Sequence, residues 1–138
     1  MPFSVRITVR TYEIDTQGHV NGAVYHQYAD HARAECLRAA GISVNDLLAG
    51  GVGPVTLENT IRYHRELRAG DEVEVTCDFV WGEGKTSRVV QEFRRPDGTL
   101  VAEVIGTGGL LDLAERRLVP DPGARWRALA KHPEVLNL

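Results

Sequence analysis

The sequence predicts an α+β fold in which one antiparallel sheet wraps around one long helix. Apolar residues recur at helical spacing over one long stretch only, at 22–40. Later stretches alternate apolar and polar residues, which is the period of half-buried strands, and no second long helical pattern interrupts them. Since helices and sheets each bury an apolar face against another element, this order predicts that the single helix packs on a single sheet.

A short strand and then the long helix open the chain. Apolar and polar residues alternate over residues 5–9, and this strand is expected to end near Asp15. Helical spacing starts after Asn21, a good N-cap, and Gly41 follows the last periodic residue as a C-terminal stop. About 19 residues at ~1.5 Å each give a helix of roughly 28 Å. Its apolar stripe is mostly alanine, so the covering sheet can approach closely.

The remaining strands are predicted from four alternating stretches, namely 55–63, 72–81, 86–94 and 100–113. A glycine-rich loop at 50–54 precedes the first of them, and a Pro-Asp-Gly turn precedes the last. Glycines at 106, 108 and 109 lie inside the last strand. They predict a bulge or a close approach of another backbone.

The C-terminal segment is predicted to form a short capped helix at about 121–132, lying on the surface. No internal repeat, low-complexity segment or interdomain linker is found in the sequence. The prediction is therefore one domain over residues 1–138. A chain of this length can bury roughly two-thirds of the surface that its unfolded form exposes.

Composition and charge exclude several classes of function. The formal net charge of −3 argues against broad nucleic-acid binding, which needs a basic surface. The N-terminus alternates polar and apolar residues, and no later run is long enough to span a bilayer, so we expect no membrane partner and, by default, a cytoplasmic location. Cys36 and Cys77 lie outside any metal-ligand spacing and are expected to be buried free thiols.

The candidate chemistry lies between the first strand and the helix. Asp15 follows the strand, Gly18 can take the positive φ of a tight turn, and Asn21 is the expected N-cap. The N–H groups of residues 22–24 would then be unpaired donors that point toward negative charge. A thioester carbonyl bound there would have its oxyanion stabilised, while Asp15 attacks the carbonyl carbon or deprotonates a water.

The same residues also have a purely structural interpretation. Asp15 and Asn21 are residue types that commonly stabilise a strand-to-helix connection through local hydrogen bonds. His19 either contacts the Asp15 carboxylate and the acyl group or only orients the turn. Spacing alone leaves these alternatives open.

Two segments resemble a known family. Residues 12–33, reading YEIDTQGHVNGAVYHQYADHAR, resemble the signature of hotdog-fold acyl-CoA thioesterases of the 4-hydroxybenzoyl-CoA thioesterase type, usually D-x-D-x-x-G-H-V-N-N-x-x-Y. Residues 61–71 resemble the family's aromatic-x-x-x-Leu-x-x-Gly-Asp connection between two strands. The similarity covers about residues 5–113. It implies the hotdog fold, an antiparallel sheet wrapped around one central helix, which agrees with the order of elements.

The resemblance also implies roles for individual residues. Asp15 corresponds to the catalytic carboxylate, acting as nucleophile or general base, and the Gly22 N–H polarises the thioester carbonyl. Two residues depart from the motif, because Glu13 replaces its first aspartate and Gly22 replaces its second asparagine. The second change keeps the backbone donor but removes a side chain beside the carbonyl, which bears on how the substrate is oriented.

Further candidates for substrate binding fall into two groups. Three lie in or just after the turn: His19, Asn21 and Tyr25. Four are basic residues near strand ends that could meet the phosphates of coenzyme A: Arg62, Arg65, Lys85 and Arg88. Each of these residues also has an ordinary role, in the core, in a cap or on a solvated face. No metal site is predicted, since His26 and His31 are five residues apart and do not share a helix face.

The sequence therefore predicts a cofactor-independent thioesterase that acts on acyl-CoA or an acyl-carrier-protein thioester. An exposed sheet edge and the family resemblance predict a homodimer or homotetramer with the active site at the dimer interface. One alternative is a hotdog module that binds acyl-CoA without turnover. A hotdog hydratase or dehydratase is a weaker alternative, because the sequence contains no H-F-P-x-x-P-x-x-P-G or D-x-N-P-x-H stretch.

Overall fold

The structure is a computed structural model that describes residues 2–138. Its strands are β1 (Phe3–Thr8), β2 (Val52–Tyr63), β3 (Glu72–Val80), β4 (Thr86–Arg94), β5 (Leu100–Asp112) and β6 (Arg117–Leu118). Its helices are α1 (Gly22–Ala39), α2 (Val44–Ala49) and α3 (Pro122–Leu129), with 3-10 turns at Thr11–Glu13 and Pro133–Leu136. Neighbouring strands are antiparallel in the order β1-β3-β4-β5-β2, and β6 pairs with β5. Within residues 2–138, no helix is long and apolar enough to cross a membrane.

A stripe of small side chains brings α1 close to the sheet. Ala29 and Ala32 are 1% and 0% exposed, and both pack in one core cluster with Phe93 of β4. Gln91 of β4 is fully buried, and its Nε2 donates a 3.0 Å hydrogen bond to the carbonyl oxygen of Ala29. A side chain of the sheet reaches the helix backbone in this way only because the helix presents alanine there. The predicted arrangement of one helix against one antiparallel sheet is confirmed.

The glycines of β5 permit a close approach to β2, as predicted. A Cβ at Gly108 would lie 2.7 Å from the carbonyl oxygen of Val55, a separation that real Cβ atoms do not adopt. Gly106 is similarly crowded by side chains. The accompanying bulge lies in the partner strand, since the β2 register shifts between Thr56 and Glu58. The extra residue in β2 increases the local twist of the sheet at this point.

For the connection after α1, one prediction is wrong and one element was not predicted. The loop expected at 50–54 is partly strand, because β2 begins at Val52, which is 1% exposed and pairs with Asp112. The helix α2 is absent from the prediction, because six residues are too few to show helical periodicity. Its N-cap is nevertheless a residue type that the sequence shows, since serine is favoured there. Ser43 Oγ accepts a 3.0 Å hydrogen bond from the N–H of Asp46.

The C-terminal helix is present but shorter than predicted. α3 ends at Leu129 instead of residue 132, and Asp121 caps it by accepting a 3.2 Å hydrogen bond from the N–H of Ala124. Trp126 is only 6% exposed and packs in the second core cluster, so the helix is anchored by an aromatic side chain. The C-terminal segment therefore contributes to the core as well as to the surface.

β2 forms one edge of the sheet. It pairs with β5 along one side, and its other side has no strand partner within residues 2–138. Two of its large apolar side chains, Leu57 and Tyr63, are 54% and 55% exposed. An unpaired edge of this length offers backbone donors and acceptors to another strand.

Candidate functional site

A short hairpin-like turn, with two segments that run side by side, connects β1 to α1. The Asn21 N–H donates a 3.0 Å hydrogen bond to the carbonyl of Glu13, and the Asp15 N–H donates one of 2.9 Å to the carbonyl of His19. Gly18 closes the turn with φ +82°, as its position predicts. These bonds hold the arm that carries Asp15 beside the arm that leads into α1.

The side chain of Glu13 anchors the turn to α1. Its carboxylate is buried, and Oε1 accepts a 2.6 Å hydrogen bond from Tyr28 Oη and a 2.8 Å hydrogen bond from the N–H of Arg10. Burial, and then the hydrogen bond to Glu13, raise the pKa of Tyr28 well above its ordinary value, so its hydroxyl remains a donor. Glu13, the first acid of the motif, thus holds the turn against α1 through its buried carboxylate. This structural role cannot be inferred from its position two residues before Asp15.

The Asp15 carboxylate is partly exposed and has one oxygen available. Oδ1 accepts a 2.8 Å hydrogen bond from the N–H of Gln17, whereas Oδ2 lies 3.5 Å from Nδ1 of His19. The side chains of Asp15 and His19 are 28% and 31% exposed. Nε2 of His19 lies 3.1 Å from Oε1 of Gln17, so this glutamine, which was not among the predicted residues, orients the imidazole toward Asp15.

At the start of α1, one free backbone donor remains of the three expected. Asn21 Oδ1 accepts a 2.9 Å hydrogen bond from the N–H of Ala23, and the Asn21 carbonyl accepts one of 2.9 Å from Val24. Asn21 is thus the N-cap of α1, and its side-chain and backbone oxygens accept hydrogen bonds from two of the three N–H groups. Within the described part of the chain the Gly22 N–H has no acceptor. It is the donor that the helix dipole presents to an incoming anion.

Tyr63, at the end of β2, contacts Gly22 and is absent from the residues that the sequence predicts for the site. Its Oη donates a 3.3 Å hydrogen bond to the carbonyl of Gly22. Its ring meets Tyr25 edge to face, with centroids 5.1 Å apart. Tyr25 itself is 3% exposed, and burial raises its pKa, so this candidate for substrate contact is a core residue that supports Tyr63.

The four basic candidates form two separate pairs. Arg62 and Arg65 flank Tyr63 and are exposed, close to the Asp15 turn. Lys85 and Arg88 are exposed, just before β4 and near its start. Arg62 pairs with position 103 and Arg88 with position 107 of β5, so four residues, or about 13 Å, separate them along the strand. Lys85 lies further away, next to Thr86, which pairs with position 109. One subunit therefore does not bring the four together.

A cavity of about 530 Å³ opens between α1, α2 and the sheet. Its walls are mainly apolar and include Leu37, Leu47, Val55, Phe79 and Trp126. Asp30 and Arg33 lie among its lining residues. The cavity lining includes neither Asp15 nor Gly22, and eight residues of α1, about 12 Å, separate Gly22 from Asp30.

No group of three or more side chains in the described chain could hold a metal ion. His26 and His31 are both exposed on α1. The polar groups that surround the turn are a carboxylate, an imidazole, a backbone donor and a phenol.

Comparison with known proteins supplies the family. A family model described as the thioesterase-like superfamily matches residues 9–136. This chain belongs to that superfamily. The matched range includes the Asp15 turn, α1 and the strands from β2 to β6. The predicted hotdog thioesterase fold is confirmed, while the narrower 4-hydroxybenzoyl-CoA thioesterase type stays a prediction.

Two relatives of this thioesterase-like chain are named as thioesterases. It is 38% identical over 71 residues to the chloroplastic acyl-acyl carrier protein thioesterase ATL3 of Arabidopsis thaliana, an alignment that covers 51% of this chain and 37% of ATL3. The chain thus spans little more than a third of that relative. It is 27% identical over 113 residues to the long-chain acyl-CoA thioesterase FadM of Escherichia coli, covering 81% of this chain and 85% of FadM.

A solved structure supports the same assignment. The crystal structure of YbaW, a probable thioesterase from Escherichia coli, has a TM-score of 0.79 and 26% sequence identity to this thioesterase-like chain. The match covers 86% of this chain and 89% of YbaW. The family, the sequence relatives and this structure are consistent with the predicted thioester hydrolase.

Proposed function

We propose that this protein hydrolyses acyl thioesters of coenzyme A or of an acyl carrier protein at the Asp15 turn. The observation that carries the proposal is the pairing of a partly exposed carboxylate, Asp15, with the one free N–H of the α1 N-terminus, at Gly22. Acyl transfer needs a nucleophile or base and a donor for the oxyanion. Both are borne on one short segment that Glu13 holds in place.

In the proposed reaction the thioester carbonyl oxygen accepts a hydrogen bond from the Gly22 N–H. Asp15 Oδ2 either attacks the carbonyl carbon, giving a mixed anhydride that water then cleaves, or removes a proton from the water that attacks. The electron pair of the carbonyl moves onto oxygen and then returns as the carbon–sulfur bond breaks. The thiolate leaves and is protonated, and the acid is released. His19 orients Asp15 in both routes.

The candidate phosphate-binding residues support a dimer as the working unit. Because β2 is an open edge, a second copy can pair antiparallel with it. In such a pair the β2 strands of the two subunits run in opposite directions. The end of one subunit that carries Arg62 and Arg65 would then face the end of the other that carries Lys85 and Arg88. We propose that coenzyme A is bound between these pairs in a homodimer, or in a tetramer of two such dimers.

The apolar cavity supports an acyl group without charge. An acyl chain that leaves the carbonyl at Gly22 can run along α1 toward Leu37 and Leu47. The relatives named as long-chain acyl-CoA and acyl-carrier-protein thioesterases are consistent with an aliphatic chain. The 4-hydroxybenzoyl type suggested by the turn motif corresponds to a shorter aryl group. We therefore propose both classes as the substrates to compare.

The first experiment measures thiol release from aryl, short-chain and long-chain acyl-CoA and acyl-carrier-protein substrates under single-turnover conditions. We expect turnover by the wild type and a fall of two or more orders of magnitude in Asp15→Asn, about 2.7 kcal/mol or more of transition-state stabilisation. Asp46→Asn is the matched control, because Asp46 is an exposed aspartate in the first turn of α2. Equal rates in Asp15→Asn and wild type would contradict the assignment of Asp15. Saturable binding with no thiol release would favour the binding module instead.

A second experiment tests the shared site. Asp15→Asn and the double variant Lys85→Ala/Arg88→Ala are purified separately and then mixed under conditions that exchange subunits. A mixed dimer contains one site with an intact Asp15 and intact partner cations, so we expect activity above that of either parent. No recovery in a mixture shown to exchange subunits would contradict a site built from two copies.

A further inference from the structure

The first turn of α1 has room for an oxyanion but supplies one free backbone donor. Asn21 takes the N–H groups of Ala23 and Val24, which leaves that of Gly22. Oxyanion sites commonly combine backbone N–H groups with a donor from a side chain, and each donor contributes strongly to the rate. A second donor beside Gly22 would complete such a site.

Tyr63 is positioned to be that donor. Apart from chain neighbours and the backbone of α1, Tyr63 Oη is the one atom of residues 2–138 within 4 Å of a Cβ built on Gly22, at 3.5 Å. From standard covalent geometry the hydroxyl is then within about 6 Å of the Gly22 nitrogen. Two hydrogen bonds of about 2.9 Å each can together span up to about 5.8 Å, so one carbonyl oxygen placed between the two groups can accept from both the Gly22 N–H and the phenol.

The present hydrogen bond of Tyr63 is one that can be exchanged. Its Oη lies 3.3 Å from the carbonyl oxygen of Gly22, longer than the usual O–H···O distance. An oxyanion is a stronger acceptor than a peptide carbonyl. The ring, in contrast, is held in place by its edge-to-face contact with Tyr25, which packs in turn against Phe93. The hydroxyl can thus change partner while the ring stays where it is.

We propose that the Tyr63 hydroxyl is the second oxyanion donor of the thioesterase site. The inference rests on the proposed function. As Asp15 or a water attacks, the carbonyl π electrons move onto oxygen, and the Tyr63 O–H turns from the Gly22 carbonyl to that oxygen. The phenol keeps its proton throughout. When the carbon–sulfur bond breaks, the carbonyl re-forms and the hydroxyl returns to Gly22.

The absence of a side chain at position 22 fits this role. In the related motif an asparagine follows the asparagine of the N-cap, whereas here that residue is Gly22. With glycine, nothing stands between Tyr63 Oη and the carbonyl-binding face of the first turn. The substrate orientation that a side chain at position 22 would provide is thereby assigned to Tyr63.

Steady-state kinetics of Tyr63→Phe test the proposal, since phenylalanine keeps the ring and removes the hydroxyl. We expect kcat to fall about 10- to 100-fold with KM changed less than about threefold, because the bond strengthens in the transition state. Tyr12→Phe is the matched control. Tyr12 is 80% exposed and lies outside the site, so its removal of a tyrosine hydroxyl should leave kcat unchanged.

Binding of two analogues separates a donor from a merely structural residue. An S-alkyl-CoA thioether lacks the carbonyl, whereas a trifluoromethyl ketone analogue adds water or a carboxylate and so presents a tetrahedral oxyanion. We expect Tyr63→Phe to bind the thioether as tightly as wild type and the trifluoromethyl ketone about five- to tenfold more weakly. Its melting temperature should stay within about 2 °C of wild type.

Three results would overturn the inference. Wild-type kcat in Tyr63→Phe would show that the hydroxyl is not a donor. Equal weakening of both analogues, or a large drop in melting temperature, would show that Tyr63 acts through the fold. No turnover of any thioester by the wild type would instead remove the proposed function itself, and the inference with it, whereas the first two results leave the proposed function standing.

Discussion

Tyr28 in the middle of α1 donates a 2.6 Å hydrogen bond to the carboxylate of Glu13. The carboxylate is 8% exposed and accepts a second bond from the N–H of Arg10. The backbone carbonyl of Glu13 meanwhile accepts from Asn21. One residue thereby joins three places: the end of the β1 arm, the N-cap of α1 and the helix centre. The position of Asp15, two residues further on, depends on this buried acid.

Loss of the hydroxyl of Tyr28 should destabilise the protein and reduce its activity. Tyr28→Phe leaves the buried Glu13 carboxylate with one donor fewer, and hydrogen bonds to buried charged groups contribute about 1.5–3 kcal/mol. Urea denaturation should show a loss of that size with an unchanged m-value. Tyr12→Phe, on the exposed side of the same segment, should change the free energy of unfolding by less than about 0.5 kcal/mol. Equal stability of the two variants would contradict a stabilising contact between Tyr28 and the Glu13 carboxylate.

The same contact predicts a dependence on alkaline pH. Burial and the bond to Glu13 raise the folded-state pKa of Tyr28 above the value of about 10 for an exposed tyrosine. Its contribution to stability is therefore complete below pH ~10 and declines above it, because only the unfolded chain then releases the proton. Between pH 9 and 11 the wild type should lose more unfolding free energy than Tyr28→Phe, by up to about 1.4 kcal/mol per pH unit. Parallel pH profiles would rule this out.

The close approach of β5 to β2 predicts that Gly108 tolerates no side chain. In Gly108→Ala the new Cβ would meet the Val55 carbonyl at 2.7 Å, and a backbone atom cannot move aside as a flexible side chain does. Overpacking of this kind costs about 1–3 kcal/mol. Gly82→Ala is the matched control, since a Cβ there meets nothing within 4 Å. Thermal unfolding should separate the two variants by several degrees, and coincident transitions would disprove the strand contact.

The two thiols should be unreactive in the folded protein. Cys36 and Cys77 are 0% and 1% exposed, and no disulfide joins them. The neighbouring Cys36 thiol and burial raise the pKa of Cys77, while the neighbouring Cys77 thiol lowers the pKa of Cys36. A thiolate at Cys36 would nevertheless be out of reach of reagents. Labelling with a thiol reagent should be absent in native buffer and reach both cysteines across the urea transition. Rapid labelling of the native protein would contradict this burial.

Predictions from the sequence succeeded where the determining interactions are local. The cap at Asn21, the stop at Gly41 and the positive φ of Gly18 all follow from single residue types with backbone preferences. Four strands were predicted from strand-like stretches of nine or more residues, with the most regular alternation in β3. The helix α2, with six residues, carries no comparable period.

The parts of the site that were missed depend on contacts between distant residues. Tyr63 meets Gly22 across 41 positions of the sequence, and Glu13 meets Tyr28 across 15. Nothing in the spacing of these residues marks them as neighbours. The sequence also could not place the four basic candidates relative to one another, since Arg62 and Lys85 look alike in the sequence although they lie at different positions along β5.

The turn that carries Asp15 contains most of its own supports. Its bracing residues lie at Arg10, Glu13, Asn21 and Tyr28, all within one continuous peptide of fewer than twenty residues. The apolar cavity is lined instead by the second half of α1, by α2, by the later strands and by α3. Under the proposed function, reactivity and substrate preference therefore depend on largely different side chains. Substitutions at cavity positions of α2 and the later strands should then change which acyl group is accepted while the supports of Asp15 stay intact.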